Sequence, residues 1–125
     1  MTEKAFSLLE LLVSLLIFEV VVASSMSEVC QYIKNSRENQ LRTEAAGAAQ
    51  MVLDELRSLD PAALPAGGTG PERFVSTGSH TFTVTSEYCA NAALCTGSSI
   101  RHIRVTVSRN GRVWYAVDTA YAQLR

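Results

Sequence analysis

Residues 6–23 read FSLLELLVSLLIFEVVVA, a run in which two serines and two glutamates are the only polar residues. A helix needs about 20 predominantly apolar residues to cross the hydrocarbon core of a bilayer. The run follows a short polar leader, MTEKA, in which Lys4 is the only positively charged side chain. The stretch therefore predicts a segment that lies in a membrane.

Three interpretations of this segment compete. A secretory signal peptide would be cut after Ala23, because Val21-Val22-Ala23 followed by serine is an acceptable small-residue site. Glu10 and Glu19 argue against a signal peptide and equally against a plain membrane anchor. A carboxylate at the membrane centre costs roughly 2.5 kcal/mol or more, so an acid in this position indicates a function and needs a partner.

The string from Lys4 to Phe18, KAFSLLELLVSLLIF, resembles the signature of the type IV pilin-like family. Both have a short charged leader, a small residue, a phenylalanine and then a glutamate inside an unbroken apolar run. The resemblance implies that a prepilin peptidase cuts between Ala5 and Phe6 and methylates the new amino terminus at Phe6. It also implies that Glu10 pairs with the Phe6 amine of a neighbouring subunit, because paired charges are tolerated in an apolar bundle and single ones are not.

Two features depart from that signature. Alanine stands at position 5, where the family usually has glycine, which is a small change in size. Glu19 is a second acid that the family pattern does not require. At about 100° per residue it faces the opposite side of the helix from Glu10. It either reaches water at the outer lipid edge or makes a second contact in a filament, and both interpretations stay open.

A polar but still helical stretch follows, in which charges of both signs are mixed and an apolar stripe returns at helical spacing: Val52, Leu53, Leu56 and Leu59. We expect one helix from Phe6 to Leu59, ended by Asp60-Pro61 because the residue before a proline avoids the α region. The predicted parts are a leader (1–5), a transmembrane or filament-core segment (6–27), a stem helix (28–60) and a β-rich head (61–125).

The helix has no proline before Pro61. Major subunits of the family commonly carry a proline that bends this helix, so its absence fits a minor subunit. The beginning of the run also resembles the minor pseudopilins of type II secretion systems. The resemblance covers roughly the first sixty residues and is specific over the first eighteen.

Strand patterns appear in the second half, after a stretch at 62–70 whose composition is that of a flexible loop. Alternation from Thr81 to Tyr88 and again around Val105 puts two sets of side chains on single faces: Phe82, Val84, Ser86 and Tyr88 in one, and Ile103, Val105 and Val107 in the other. The sequence therefore predicts an α+β fold, in which a long N-terminal helix spans the membrane with its first half. Its second half packs against a small antiparallel sheet.

Asn110-Gly111 favours a two-residue type I′ hairpin between two such runs, because both turn positions need a positive φ. That turn would place Val107 opposite Trp114 and Val105 opposite Ala116.

The three cysteines are Cys30, Cys89 and Cys95. In a cytosolic chain, Cys89 and Cys95 could be free thiols or half of a metal site, but in an exported chain they read as a disulfide. We expect the exported pair to be bridged. Cys30 on the stem is either a small hydrophobic residue at a helix contact or the site of an intermolecular disulfide.

No catalytic motif, metal site or cofactor site is recognisable, and Ser76, Ser79, His80 and His102 read as scattered surface residues, so we do not expect an enzyme. The sequence after Gly70 holds six arginines and three acids. Such a head at a filament tip could bind DNA through arginines around the hairpin, namely Arg101, Arg104, Arg109 and Arg112. Alternatively, these arginines only keep the surface soluble, because DNA binding generally needs a concentrated basic stripe.

The resemblance implies a minor pilin that initiates or tips a type IV pilus or pilus-like filament, with a part in adhesion, twitching motility or DNA uptake. A minor pseudopilin of type II secretion is the alternative. The implied partners are other pilin or pseudopilin subunits, the prepilin peptidase, the inner-membrane assembly platform and, before assembly, membrane lipid. The implied location is a bacterial inner membrane, with the head in the periplasm, and then the pilus or pseudopilus.

Overall fold

The computed structural model describes residues 7–95 and 100–122. A single α-helix is followed by a small antiparallel sheet, which confirms the predicted α+β class. In chain order the elements are helix α1 (Leu8–Arg57), a 3₁₀ turn (Pro61–Ala63), strands β1 (Gly68–Thr69), β2 (Arg73–Thr77) and β3 (His80–Tyr88), a second 3₁₀ turn (Ala92–Leu94), and strands β4 (Ile100–Arg109) and β5 (Arg112–Ala122). Contacts divide the chain into two compact units at the boundary between Glu38 and Asn39.

The five strands form one sheet in the order β1-β3-β4-β5. Strand β2 pairs with the first half of β3, and β1 pairs with its last two residues. All pairings are antiparallel. Strand β5, the longest of the five, is therefore an edge strand.

The core of the unit that begins at Asn39 lies between one face of the sheet and the last turns of α1. Small side chains at Ala45, Ala48 and Ala49 are fully buried, so the helix can approach the strands closely. At Gly47 an added Cβ would lie 3.3 Å from a Thr77 methyl carbon, which is tighter than ordinary packing. The other core residues are Val52, Leu53, Leu56, Leu64, Phe82, Val84, Tyr88, Ile103, Val105 and Val107. The predicted inward faces of β3 and β4 are confirmed.

The helix is shorter at both ends than the expected span. It begins at Leu8, where the hydroxyl of Ser7 accepts a hydrogen bond from the Leu9 N–H in the manner of an N-cap. It ends at Arg57 rather than at Leu59, which is exposed and leaves the expected apolar stripe. The Tyr121 hydroxyl lies 2.8 Å from the Arg57 carbonyl oxygen and 3.1 Å from that of Leu59, which satisfies carbonyls that a helix end leaves unpaired.

The stretch at 62–70 is more ordered than the expected flexible loop. Asp60 accepts a hydrogen bond from the Ala62 N–H and caps the first 3₁₀ turn, in which Pro61 occupies the first position. Strand β1 then adds two residues to the sheet. Short elements of this kind carry too few residues for a periodic pattern to reveal them.

The predicted hairpin is confirmed, but its register is not. Asn110 and Gly111 have φ of 53° and 75°, as a type I′ turn requires. Val107 lies opposite Tyr115 instead of Trp114, and Val105 lies opposite Val117 instead of Ala116.

The cause of the register shift is an extra residue in β5. Ser108 pairs with Val113, so Trp114 is left over as a β-bulge. Trp114 packs against the core from this position, whereas Val113 remains exposed. An interior that accepts the indole therefore overrides the register that the turn alone would set.

Candidate functional site

The predicted processing site, Ala5 and Phe6, lies outside the described residues, so its cleavage and methylation stay predictions. The first described part of α1 is the continuation of that site. It contains a stretch with a mean hydropathy of 2.2, none of it buried, which is long and apolar enough to cross a membrane. The large apolar side chains from Leu8 to Val22 are all exposed. This surface needs lipid or protein around it.

Serines within the apolar stretch carry little unsatisfied polarity. The hydroxyls of Ser14, Ser24 and Ser25 donate hydrogen bonds to main-chain carbonyl oxygens three or four residues earlier, at 2.8–3.0 Å. An internal bond of this kind makes a hydroxyl tolerable in an apolar environment. The glutamates have no such solution.

Glu10 lies in the first turn of α1 with an exposed side chain. Its main-chain N–H donates to the Ser7 carbonyl at 2.9 Å, and its carbonyl accepts from Ser14. The carboxylate makes no ion pair with any described residue. A negative charge near a helix N-terminus is favoured by the helix dipole, but an apolar environment still requires a cation.

The Cys89–Cys95 disulfide predicted for the head is present, with 5.7 Å between the two Cα atoms. The main chain of His102 holds both ends of its loop. The Cys89 N–H donates to the His102 carbonyl at 2.7 Å, and the His102 N–H points to the Cys95 sulfur at 3.2 Å. Cys30 is exposed and free.

His102 is not the surface residue that the sequence suggested, since only 2% of it is exposed. Its Nδ1 accepts a hydrogen bond from the Asn91 N–H at 3.4 Å, and its Nε2 lies 3.8 Å from an Asp118 carboxylate oxygen. The disulfide loop folds over this imidazole and shields it from solvent. The position of His102 in the alternating pattern of β4 gave no sign of that cover.

The structure does not gather the four hairpin arginines onto one surface. Arg101 and Arg104 are three residues apart on β4 and so point to opposite faces of the sheet. Arg101 is buried, and the Arg112 guanidinium lies 4.4 Å from the centre of the Trp114 ring. DNA contact by these residues and Arg109 stays a prediction.

Arg104 is bound to Asp118 on the neighbouring strand. The Arg104 Nε–Asp118 Oδ1 distance is 2.7 Å, and the Nη2–Oδ2 distance is 3.3 Å. This fork holds the pKa of Asp118 below and that of Arg104 above their usual values. Arg104 is thus already engaged by a carboxylate.

A contact between the helix and the β2–β3 turn escaped sequence reasoning. The His80 Nδ1–H donates to the Glu44 carboxylate at 2.6 Å, and Gln40 donates to the other oxygen at 3.0 Å. The bond from His80 is the main cause that lowers the pKa of Glu44, while burial of the carboxylate acts in the opposite direction. Thirty-six residues separate the pair, and no local pattern signals such a contact.

The described residues show no convergence of three or more His, Cys, Asp or Glu side chains that could hold a metal ion. Comparison of the chain with protein-family models, curated proteins and solved structures gives no match in any of the three. A function for this chain therefore rests on its own residues and geometry.

Proposed function

We propose that this chain is a minor pilin, a processed subunit that waits in the bacterial inner membrane and is then built into a type IV pilus or pilus-like filament. The observation that carries the proposal is the exposed apolar part of α1 with Glu10 in its first turn. A membrane anchor has no use for that acid, whereas an assembly helix does.

Assembly gives Glu10 a physical purpose. The amine of a neighbouring subunit, freed by cleavage before Phe6, would neutralise the carboxylate inside an apolar bundle. A paired charge is tolerated there, and an unpaired one is strongly unfavourable, so the pair favours docking over remaining alone in lipid. The prepilin peptidase, the assembly platform and other pilin subunits are the partners in this proposal.

The head supports export to an oxidising compartment. Structural disulfides persist in the periplasm and are rare in the cytosol. The Cys89–Cys95 bridge closes a short loop in a head whose core is small. A periplasmic head on a single membrane helix, with its N-terminus on the cytoplasmic side, fits both features.

The runner-up is a minor pseudopilin of a type II secretion system. The uninterrupted course of α1 from Leu8 to Arg57 favours a minor subunit over a major one, and it fits both machineries equally. Loss of secretion with intact pili on deletion of the chain would identify the pseudopilin.

The test of the proposal is Glu10→Leu. This change should make the segment a better bilayer span, by about 3 kcal/mol on insertion scales, while it removes the charge that favours docking. The variant should stay in the membrane, be cut normally, and be depleted from sheared filaments. Glu10→Asp keeps the charge on a shorter side chain and should fall between the two.

The measurement is an immunoblot of membrane and sheared fractions from cells that express each variant at matched levels. A matched control is Ser14→Ala, which removes a polar group one turn away without altering charge and should assemble normally. Wild-type amounts of Glu10→Leu in sheared filaments would contradict the proposed role of Glu10.

A further inference from the structure

Glu19 is an acid for which the pairing of Glu10 provides no partner. Its side chain is exposed on α1 and makes no ion pair with any described residue. The side chains three and four positions away, which could reach it along the helix, are all apolar: Leu15, Leu16, Val22 and Ala23. In lipid or in a filament core, such a carboxylate requires a cation from another chain.

Glu19 also interrupts a regular apolar row. Eight positions of α1, alternately four and three residues apart, define what we call the stem row: Leu8, Leu12, Leu15, Glu19, Val22, Met26, Val29 and Ile33. All eight side chains are exposed. A heptad pattern sustained over this length is typical of a helix that packs lengthwise against another helix.

Arg37 lies just beyond the stem row. It follows Glu19 by 18 residues, which is five α-helical turns, so both project from the same side of α1. Arg37 is exposed, and no acid stands three or four positions from it. Glu10 and Glu28 project from the opposite side of the helix.

We propose that the stem row is the contact surface for a second, parallel copy of this chain, displaced by about 18 residues, with Glu19 of one copy paired with Arg37 of the other. This inference rests on the proposed filament function and adds the partner surface and its register. The displacement is about 27 Å along the helix axis. A single polar residue in a heptad row commonly fixes register in this way.

Other arrangements of two copies are less favourable. Parallel copies in register would place Glu19 against Glu19, a like-charge contact in apolar surroundings. An antiparallel pair would match Glu19 with Arg37, but two chains anchored by the same end in one bilayer run in the same direction. In the displaced arrangement, Met26 to Ile33 of one copy lie level with Leu8 to Leu15 of the other, so apolar positions face each other.

The displaced contact also has the symmetry that a filament needs. Each copy offers Glu19 to one neighbour and Arg37 to another, so the contact is heterologous. Heterologous contacts that do not close into a ring continue as open helical assemblies.

A charge exchange tests the pairing in the full chain. Glu19→Arg and Arg37→Glu should each lower the amount of the chain in sheared filaments by at least about fivefold. The chain that carries both changes should recover to within about twofold of wild type, because the pair is restored with its signs reversed. Glu28→Arg, an equal change of charge on the opposite side, is the matched control and should assemble normally.

Cysteine cross-linking tests the register directly. In a Cys30→Ser background, differently tagged chains with Glu19→Cys and Arg37→Cys are expressed together and oxidised. Mixed dimers joined between positions 19 and 37 should dominate in sheared filaments. Dimers joined between two positions 19, or cross-links only to a different protein, would overturn the proposal.

The two failures are distinguishable. If wild-type chain is present in sheared filaments but neither the charge exchange nor the cross-link behaves as expected, the stem row contact is wrong and the filament function stands. If wild-type chain never enters sheared filaments, the proposed function itself is wrong.

Discussion

Glu44 and His80 show what single residues contribute to the head beyond their local patterns. The carboxylate sits against the β2–β3 turn, where Gly78 has a φ of 63° and an added Cβ would come within 2.8 Å of the Glu44 carboxyl group. Glycine at this position therefore serves two purposes, since it allows the left-handed turn and makes room for the acid. The sequence shows the glycine and the turn, but the close approach follows only from the fold.

We predict that Gly78→Ala destabilises the head more than Gly111→Ala does. Both glycines have a positive φ, which costs a residue with a Cβ about 1–2 kcal/mol. Nothing lies within 4 Å of an added Cβ at Gly111, so that variant should show this cost alone. At Gly78 the displaced carboxylate should add about 1 kcal/mol to the loss of unfolding free energy.

Urea unfolding of the full chain in detergent, followed by the fluorescence of Trp114, measures both losses. Adding Glu44→Ala to each glycine variant is the control, because it removes the group that the new Cβ would meet. The extra loss at Gly78 should then disappear. An equal loss for the two single variants would show that the Glu44 contact has no energetic weight.

At the scale of elements, patterns that span several residues were predictable, and contacts set by packing were not. Alternation identified the inward faces of β3 and β4, and Asn110-Gly111 identified the hairpin, because each depends on local backbone geometry. The five residues of β2 and the two of β1 gave no pattern of sufficient length. The bulge at Trp114 depends on how an indole fits the core, which local sequence does not encode.

The same division holds in the candidate site. The spacing of Cys89 and Cys95 indicated the disulfide, since a short loop in an exported head is readily bridged. The burial of His102 beneath that loop depends on where the loop lies over β4, so a histidine in an alternating strand pattern looked exposed. Cross-strand partners such as Asp118 for Arg104 require the register, which the bulge had shifted only at the hairpin end.

The disulfide should stabilise the head measurably. Replacing both Cys89 and Cys95 by serine should lower the unfolding free energy by roughly 2–3 kcal/mol, the loop-closure value for a bridge between residues six apart. Unfolding curves of wild type and variant, with and without a thiol reductant, measure the difference. Reductant should bring the wild type down to the variant and leave the variant unchanged.

Cys30→Ser is the matched control, because this cysteine is exposed and free. It should leave the unfolding free energy within about 0.5 kcal/mol of wild type. Non-reducing peptide mapping of chain recovered from the periplasmic side should also find Cys89 and Cys95 joined. Two free thiols there would contradict both the bridge and the export that it supports.

At the scale of the whole molecule, the two units bury their apolar residues in different ways. The unit from Asn39 onward has a core of its own between helix and sheet. The described part before it exposes nearly all of its large apolar side chains. Such a surface is stable only in lipid or against other subunits, and a filament subunit uses both in turn.

The processing step links those two environments, and it is the last prediction. If Phe6 is the mature N-terminus, chain extracted from membranes should lack its first five residues and carry one added methyl group at the Phe6 amine. That cut removes Lys4 but keeps the apolar helix, so the chain stays in the membrane and gains the amine that Glu10 requires. Intact-mass spectrometry of the membrane-extracted chain, with and without the prepilin peptidase, is the measurement. Ala5→Glu should leave the chain uncut, because a charged, larger side chain replaces the small residue at the scissile bond, while Ala5→Gly is the matched control and should be cut at least as well as wild type. A mature N-terminus at Ser24 would identify a signal peptide, and an unprocessed Met1 in the presence of the peptidase would identify a plain anchor; either result would exclude the filament assignment, because no amine would then be available to Glu10 at the start of the helix.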